Sequence, residues 1–251
     1  DAAQRMFEAG KLPNLSRFLP PGGWEKRHAP GTFTYASHQA IFAGFLPTPA
    51  WPGKHPRLFA ARFAGSETSV AGTYVFDTPD IVSGLAQAGY HTLCVGGVGF
   101  FSRSTPLSQV FPDMFAEAHW HPEFGVTAPA STRNQFEFLA KRIPEIPASQ
   151  RLFLFINLSA LHQPNYYYLD KNHPDYAEKN DSLESHMAAL TSIDAQFPLL
   201  WETLAQRGDS FHIYTSDHGT AYGEDGFEGH RLGHQVVLDV PYFDFILPKK
   251  L

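Results

Sequence analysis

The sequence predicts an α/β fold of three layers, in which helices cover both faces of a doubly wound, mostly parallel sheet. Residues 80–88 have an amphipathic helical pattern that ends at Gly89, and an apolar strand pattern follows over residues 91–95. Helices and apolar strands then alternate, which is the order that produces parallel sheets. The length of 251 residues suits one large domain. We expect residues 1–251 to form that domain and, because helix begins at once, the true N-terminus to lie upstream.

Hydrophobic periodicity and turn residues locate the individual elements. Ser37 is placed to cap a helix that Gly44 closes. Helical patterns cover residues 2–9, 14–18, 37–43, 80–88, 132–142 and 182–206. Strand patterns cover residues 91–95, 151–158, 211–215 and 236–247, while residues 32–36 fit a short strand or a loop. Residues 48–70 and 96–130 are rich in Gly and Pro, and we expect irregular segments there.

Charge and composition limit the classes of partner. The net charge of -6 leaves no basic surface, which argues against a nucleic acid partner. No stretch approaches the ~20 apolar residues that a membrane-spanning helix needs. Cys94 is the only cysteine, so no internal disulfide can form. With no visible signal peptide, these features predict a cytoplasmic location, and they do not indicate an oligomeric state.

The segment Thr215-Ser216-Asp217-His218-Gly219 is the strongest functional signal in the chain. It follows an apolar strand pattern, so Asp217 and His218 are expected at the carboxyl end of a strand, where open α/β sheets build their sites. A carboxylate and an imidazole together suit Zn²⁺ or Mn²⁺ better than Ca²⁺. A helix cap or a polar turn would also explain the segment if it stood alone.

Two further loops carry candidate residues. Thr34 lies just before the predicted helix start at Ser37, where free backbone N–H groups and the helix dipole favour a bound anion. A simple capping role is the alternative. His162 follows the predicted strand over residues 151–158, and a structural hydrogen bond is the alternative to a role as a ligand there. His119, Trp120 and His121 are candidates to line a substrate pocket, with ordinary aromatic packing as the alternative.

Taken together, these segments resemble the alkaline phosphatase/sulfatase superfamily, and more narrowly a compact bacterial group of uncharacterised sulfatase-like hydrolases. The resemblance spans nearly the whole chain, and each motif is weak alone. In order, the motifs are Pro13-Asn14-Leu15, Thr34 with Ser37 and Gly44-x-x-Pro47, His162-Gln163-Pro164, Ser216-Asp217-His218-Gly219 with Gly223-Glu224 and His230, and Val240-Pro241-Tyr242. The resemblance implies an alkaline-phosphatase-like fold whose first strand would precede residue 1.

The resemblance also implies roles for individual residues. Thr34 falls on the nucleophile, which also binds metal, and Asp217 and His218 fall on the metal ligands beside it. His162 and His230 fall on positions that bind a second metal or the substrate's anionic group. His234 competes with His230 for that role, because the Gly-His pair repeats four residues later. Ser37 falls where relatives place a contact to a nonbridging oxygen of the substrate.

Several departures from the superfamily pattern shape the functional prediction. True sulfatases carry a Cys or Ser that becomes formylglycine where this chain has Thr34, and their Pro and Arg are replaced by Ala36 and His38. Phosphoryl chemistry is therefore favoured over sulfate-ester hydrolysis. The superfamily's first metal-binding Asp would lie upstream of Asp1. Leu158 stands where two-zinc relatives have an Asp, so one or two ions remain open.

The resemblance implies a metal-dependent hydrolase of phosphate mono- or diesters that uses Thr34 as its nucleophile, with Zn or Mn as the cofactor. Its substrate would be a small-molecule phosphoester or a related anionic ester. Three alternatives remain: a phosphoethanolamine-type transferase, a sulfatase-like hydrolase of another ester, and a binding protein built on a degraded hydrolase fold.

Overall fold

A computed structural model describes residues 2–44, 59–61, 74–76 and 80–250. Its helices are α1 (Ala2–Glu8), α2 (Thr34–Ala43), α3 (Ile81–Gln87), α4 (Pro106–Gln109), α5 (Ser131–Arg142), α6 (Pro174–Glu178), α7 (Leu183–Asp194), α8 (Phe197–Arg207) and α9 (Gln235–Leu238). Its strands are β1 (Glu25–His28), β2 (Phe59–Ala61), β3 (Tyr74–Phe76), β4 (Tyr90–Val95), β5 (Glu117–His119), β6 (Arg151–Ile156), β7 (Ser210–Thr215), β8 (Ala221–Tyr222), β9 (Glu228–Gly229) and β10 (Asp239–Leu247).

The strands form two main groups, and the predicted α/β class is confirmed. Strands β5, β4 and β6 pair in that order and run parallel. Strand β10 runs antiparallel between β1 and β7. Strands β2 and β3 form a separate parallel pair, and β8 and β9 form a hairpin. The loop after β6 carries His162 and the loop after β7 carries His218, and both rings lie next to the His230 ring. The parallel and antiparallel groups therefore deliver their loops to one site.

Alternating side chains place a hydrophobic core on each face of the parallel group. Leu93 and Val95 of β4 point into the larger core, which they share with residues of α5, α7 and α8. Cys94 points to the opposite face and packs with Phe42 of α2 and Phe111. Burial raises the pKa of the Cys94 thiol, so it behaves as a core residue. The helices on both faces give the three layers.

Several element boundaries differ from the prediction. The helix predicted over residues 182–206 is two helices, α7 and α8, because Pro198 occupies the first turn of α8 and cannot continue a preceding helix. Helix α2 begins at Thr34 after the extended residue Phe33, so Ser37 lies inside the helix and does not cap it. The predicted strand or loop over residues 32–36 is therefore partly helical.

The irregular segments also contain regular structure. The predicted loop over residues 96–130 includes β5 and α4. Of the predicted irregular segment 48–70, residues 59–61 form β2, and the rest, with Pro47, lies outside the described residues. None of the described helices is long and apolar enough to cross a membrane.

The Pro13-Asn14-Leu15 segment is anchored by a buried carboxylate. Asp194, which is the last residue of α7, accepts hydrogen bonds from the backbone N–H groups of Asn14 (3.1 Å) and Leu15 (2.8 Å). The Asn14 side chain donates to the same carboxylate. Charge-assisted bonds of this kind are among the stronger ones in proteins, so the motif fixes the N-terminal part of the chain against α7.

Candidate active site

The hydroxyl of Thr34 lies at the N-terminus of α2 and faces the loop after β7. Phe33 is extended and Thr34 is the first helical residue, so the free N–H groups of the first turn surround its side chain. Thr34 is only 5% exposed. Its Oγ1 lies 3.3 Å from Nε2 of His218. The structure therefore brings together two residues that are far apart in sequence. The resemblance assigns them to adjacent roles, the nucleophile and a metal ligand beside it.

Close backbone packing at Gly219 places Asp217 and His218. The Gly219 N–H donates to the Val237 carbonyl at 2.7 Å. A Cβ on Gly219 would lie 2.1 Å from the Val236 carbonyl oxygen, so a side chain at this position would push the loop away. Nδ1 of His218 donates to the Gly219 carbonyl at 2.8 Å, which leaves the Nε2 lone pair free. That Nε2 faces Thr34 and lies 3.6 Å from Oδ2 of Asp217.

His38 is a buried residue at this site whose contribution sequence reasoning missed. Its Nδ1 lies 2.8 Å from the Thr34 carbonyl, to which it donates, and 3.5 Å from Oδ2 of Asp217. Burial lowers the pKa of His38, although Asp217 raises it, so the ring is neutral at pH 7. The available signal was its position four residues after Thr34, which places both residues on one face of α2.

His230 and His162 extend the site away from Thr34. The rings of His218 and His230 stack with centroids 4.7 Å apart, and those of His230 and His162 are 6.2 Å apart. Burial and the neighbouring imidazoles of His218 and His162 lower the pKa of His230. His162 donates from Nδ1 to the Gln163 carbonyl at 2.5 Å, so its Nε2 is free. Three imidazoles thus form a row that starts at Thr34.

Of the other predicted site residues, His234 contacts Val236 and Asp225, and Ser37 is buried. Nδ1 of His234 accepts the Val236 N–H at 3.1 Å and caps α9, while its Nε2 lies 3.0 Å from Asp225. Ser37 is fully buried, and its hydroxyl has no hydrogen-bond partner among the described residues. Gly31 packs directly over it, since a Cβ added to Gly31 would lie only 2.9 Å from the Ser37 Oγ. Among the described residues neither side chain is hydrogen-bonded to Thr34, and the roles that the resemblance implies for them stay predictions.

The donor atoms at the Thr34 end fit a divalent metal. One hydroxyl, one carboxylate and one imidazole with a free Nε2 form an oxygen and nitrogen set that Zn²⁺ and Mn²⁺ accept. A second cluster, His173 with Asp175 and Glu184, also has the spacing of a metal site. Its hydrogen bonds explain it differently: His173 caps α6 through Nδ1 and donates from Nε2 to Glu184.

The side chain of Phe101 separates His38 from a cavity of about 180 Å³. Its lining includes Phe101, whose ring centroid lies 5.6 Å from that of His38. Arg103, His119, Trp120 and His121 form much of the remaining wall. The aromatic loop singled out in the sequence therefore lines a cavity with cationic and aromatic groups, and Phe101 separates that cavity from His38.

Comparisons with known proteins identify the family and the fold. A family model described as Sulfatase matches residues 25–243, which is most of the chain. The chain belongs to the sulfatase family. The matched range contains Thr34, Asp217, His218, His162 and His230. This sulfatase-family chain matches none of the curated proteins.

Solved structures similar to this sulfatase-family chain share its fold. The soluble domain of lipooligosaccharide phosphoethanolamine transferase A from Neisseria meningitidis is 12% identical with a TM-score of 0.61, over 98% of this chain and 69% of that one. A protein in the alkaline phosphatase superfamily from Vibrio parahaemolyticus is 16% identical with a TM-score of 0.52, over 99% and 59%. The C-terminal periplasmic domain of EcEptC from Escherichia coli, in complex with Zn, is 16% identical with a TM-score of 0.51, over 69% and 53%.

These comparisons confirm the predicted superfamily and its alkaline-phosphatase-like fold. They support an ester-acting enzyme, of hydrolase or transferase type, in a superfamily whose members use divalent metals. The chain spans just over half the length of two of the matched structures. The expected cytoplasmic location is contradicted, because the similar EcEptC domain from Escherichia coli is periplasmic. A single cysteine is compatible with the cytoplasm and with the periplasm, so the cysteine count could not predict the location.

Proposed function

We propose that the chain is a divalent-metal-dependent hydrolase of phosphate mono- or diesters, with Thr34 as its nucleophile. The observation that carries this proposal is the Thr34 hydroxyl at the N-terminus of α2, 3.3 Å from Nε2 of His218 and beside Asp217. A hydroxyl becomes an effective nucleophile when a neighbouring group or ion favours its deprotonated form. The oxygen and nitrogen donors around it supply that environment.

Thr34, Asp217 and His218 would hold the ion, with Zn or Mn as the candidates. When bound, a divalent ion acts as a Lewis acid, which lowers the pKa of a ligated hydroxyl and neutralises charge on phosphoryl oxygens. The free carboxylate edge of Asp217 and the free Nε2 of His218 are oriented for this by the tight turn at Gly219. One or two ions remain compatible with the chain, because His162 and His230 form a second group of nitrogen donors.

The chain's own residues would then carry out a two-step displacement. Thr34 Oγ1 loses its proton and attacks phosphorus, a new Oγ1–P bond forms, and the bond to the leaving oxygen, which takes up a proton, breaks. The N–H groups at the start of α2 and the imidazoles of His162 and His230 would stabilise the negative equatorial oxygens. In the second step a water molecule attacks the same phosphorus and a proton returns to Thr34 Oγ1, which releases phosphate from a monoester substrate or a phosphate monoester from a diester.

A phosphoethanolamine-type transferase is the second candidate. It would share the first step and use an acceptor alcohol in the second. The matched transferase domain from Neisseria meningitidis favours this alternative. Both candidates predict a phosphorylated or phosphodiester-linked Thr34, and product analysis with and without an added acceptor alcohol would distinguish them, because only a transferase passes the group to the alcohol.

Turnover of p-nitrophenyl phosphate and bis-p-nitrophenyl phosphate by the protein with added Mn²⁺ or Zn²⁺ tests the proposal. We expect a chelator to abolish turnover and Thr34→Ala to lower kcat/KM by about a thousandfold or more, because the nucleophile is lost. Thr34→Ser should keep part of the activity. Thr191→Ala, which removes a threonine hydroxyl from the exposed side of α7, is the matched control. Metal-dependent turnover that survives Thr34→Ala would rule out this nucleophile.

A further inference from the structure

The two outer imidazoles of the site are carried by separate loops. His162 lies in the loop after β6, and His230 directly follows β9 of the β8–β9 hairpin. Their ring centroids are 6.2 Å apart. The hairpin is tied at one end to the nucleophile segment, since the Arg231 N–H donates to the Thr32 carbonyl at 2.8 Å. A separate contact must hold the hairpin to the His162 loop.

The phenol of Tyr222 makes that contact. Tyr222 belongs to β8, and its hydroxyl oxygen accepts a hydrogen bond from Nδ2 of Asn165, at 3.2 Å, in the His162 loop. The same hydroxyl lies 3.3 Å from Nδ1 of His186 in α7 and donates to it. One side chain thus joins the hairpin, the loop and a helix.

The orientation of Asn165 is fixed by its other hydrogen bonds. Asn165 is fully buried. Its Oδ1 accepts from the Ser185 hydroxyl, and its Nδ2 also donates to the Leu161 carbonyl at 3.3 Å. Its backbone N–H donates to Asp181 at 2.6 Å. The amide nitrogen therefore points at Tyr222, and the hydroxyl of Tyr222 has only one direction left in which to donate.

The bridge carries no charge. Burial lowers the pKa of His186 to about 4, so its Nδ1 remains an acceptor near neutral pH. Burial raises the pKa of Tyr222 to about 12, so the phenol keeps its proton. The three atoms that join the elements, Tyr222 Oη, Asn165 Nδ2 and His186 Nδ1, each have a partner of the correct type, as a rigid buried network requires. Removing one member leaves the others unsatisfied.

We propose that Tyr222 is a positioning residue that holds the His162 loop against the His230 hairpin, so that both imidazoles face one anionic group beside Thr34. This inference rests on the proposed function only for the nature of that group, a phosphoryl group. The bridge concerns only the contact between the hairpin and the His162 loop, so it can be tested without measuring enzymatic turnover.

Hydrogen exchange of Tyr222→Phe tests the bridge directly. The substitution removes the hydroxyl and keeps the ring. We expect amide exchange to become about fivefold faster in two segments, residues 160–168 and 219–231, because one hydrogen bond of ordinary strength is lost. His186→Phe, which removes the acceptor, should accelerate the same two segments and covers the case that Tyr222→Phe folds poorly. Tyr242→Phe, which removes a phenol hydrogen bond to Asp244 on β10, should change neither segment. Unchanged exchange over residues 160–168 would overturn the bridge.

Kinetics then test its role. We expect Tyr222→Phe to raise KM and the inhibition constant of inorganic phosphate by about fivefold, with a smaller change in kcat. Faster exchange with an unchanged KM and inhibition constant would show that the bridge does not position the site, and would also overturn the inference. If the wild-type protein has no esterase activity, the proposed function fails while the exchange experiment still decides the bridge. If it turns over and Tyr222→Phe changes nothing, the bridge fails and the function stands.

Discussion

At the residue scale, His38 connects the nucleophile to its neighbouring carboxylate. Its Nδ1–H donates to the Thr34 carbonyl and lies 3.5 Å from Asp217. Four aromatic rings enclose the rest of the imidazole, those of Phe42, Phe101, Phe111 and Phe155. The single Nδ1 proton is donated to the Thr34 carbonyl, so the rigidly packed ring fixes the first turn of α2 and lies beside the Asp217 carboxylate.

Substitutions at His38 separate its hydrogen bond from its packing. Asparagine can present an N–H near the position of Nδ1, whereas leucine cannot. We expect His38→Leu to lower kcat/KM by about fivefold, since the hydrogen bond from Nδ1 to the neutral Thr34 carbonyl contributes about 1 kcal/mol. His38→Asn should lose less. Metal affinity, measured by competition with a chelator, should fall in the same order.

His28→Leu on the exposed strand β1 is the control for the His38 variants, and it should leave both kcat/KM and metal affinity unchanged. Equal losses in His38→Leu and His38→Asn would show that the ring acts through packing and not through its N–H group.

The residues of the site were predictable to different degrees. Thr34, Asp217 and His218 stand in short local motifs that can be read from the sequence, and the structure places them within reach of each other. His38 was visible only as a replacement for an arginine, because its role depends on aromatic side chains from distant elements. Ser37 is buried under Gly31, a contact that no local pattern reveals.

At the element scale, the break between α7 and α8 shows the limit of hydrophobic periodicity. The apolar stripe continues through Leu190, Ile193 and Phe197 because both helices pack on the same core. A single helix was therefore predicted. The backbone, however, cannot donate a hydrogen bond from Pro198, and the helix stops. Hydrophobic periodicity shows which side of a helix is buried, but it does not show whether one helix or two cover the segment.

Strand β7 carries a histidine that makes the fold sensitive to acid. His212 is 9% exposed, and burial lowers its pKa to about 4 from its ordinary value of 6.5. The unfolded chain therefore binds this proton more readily than the folded chain does. The resulting stability is complete above pH 6.5 and is lost as the pH falls toward 4. His186 titrates in the same window and in the same direction.

We expect the free energy of unfolding to fall between pH 7.5 and pH 5, with about 2 kcal/mol of the loss from His212. Urea denaturation at the two pH values, in the presence of a chelator, measures it. His212→Phe should reduce the loss, and His28→Gln, on exposed β1, should not. An unchanged loss in His212→Phe would show that other groups control acid unfolding.

At the scale of the whole molecule, the two groups of strands are covered differently. The parallel group β5–β4–β6 has a core on each face. The antiparallel group packs only one face against α8 and the N-terminal segment, through rings such as Tyr214 and Phe243. Strand order and the antiparallel direction of β10 follow from these long-range contacts, so composition and local pattern predicted the class and could not predict the pairing.

Part of the other face of the antiparallel group, at the Phe211 end of β7, is apolar and exposed among the described residues. Phe211 is 64% exposed, Ile213 57% and Ile246 68%. Phe211 and Ile246 are direct cross-strand partners, so the exposed side chains form one continuous patch. Apolar patches of this kind promote association in solution.

Substituting this patch with threonine tests how the sheet is covered in solution. In the triple variant Phe211→Thr, Ile213→Thr, Ile246→Thr, we expect the free energy of unfolding to change by less than about 1 kcal/mol, because exposed side chains contribute little burial and threonine suits a strand. Binding of a hydrophobic dye and self-association should both decrease. Tyr214→Thr, on the opposite face, should cost about 3 kcal/mol or more because it empties part of the core. A loss in the triple variant as large as that in Tyr214→Thr would mean that the outer face is buried in the protein as it exists in solution.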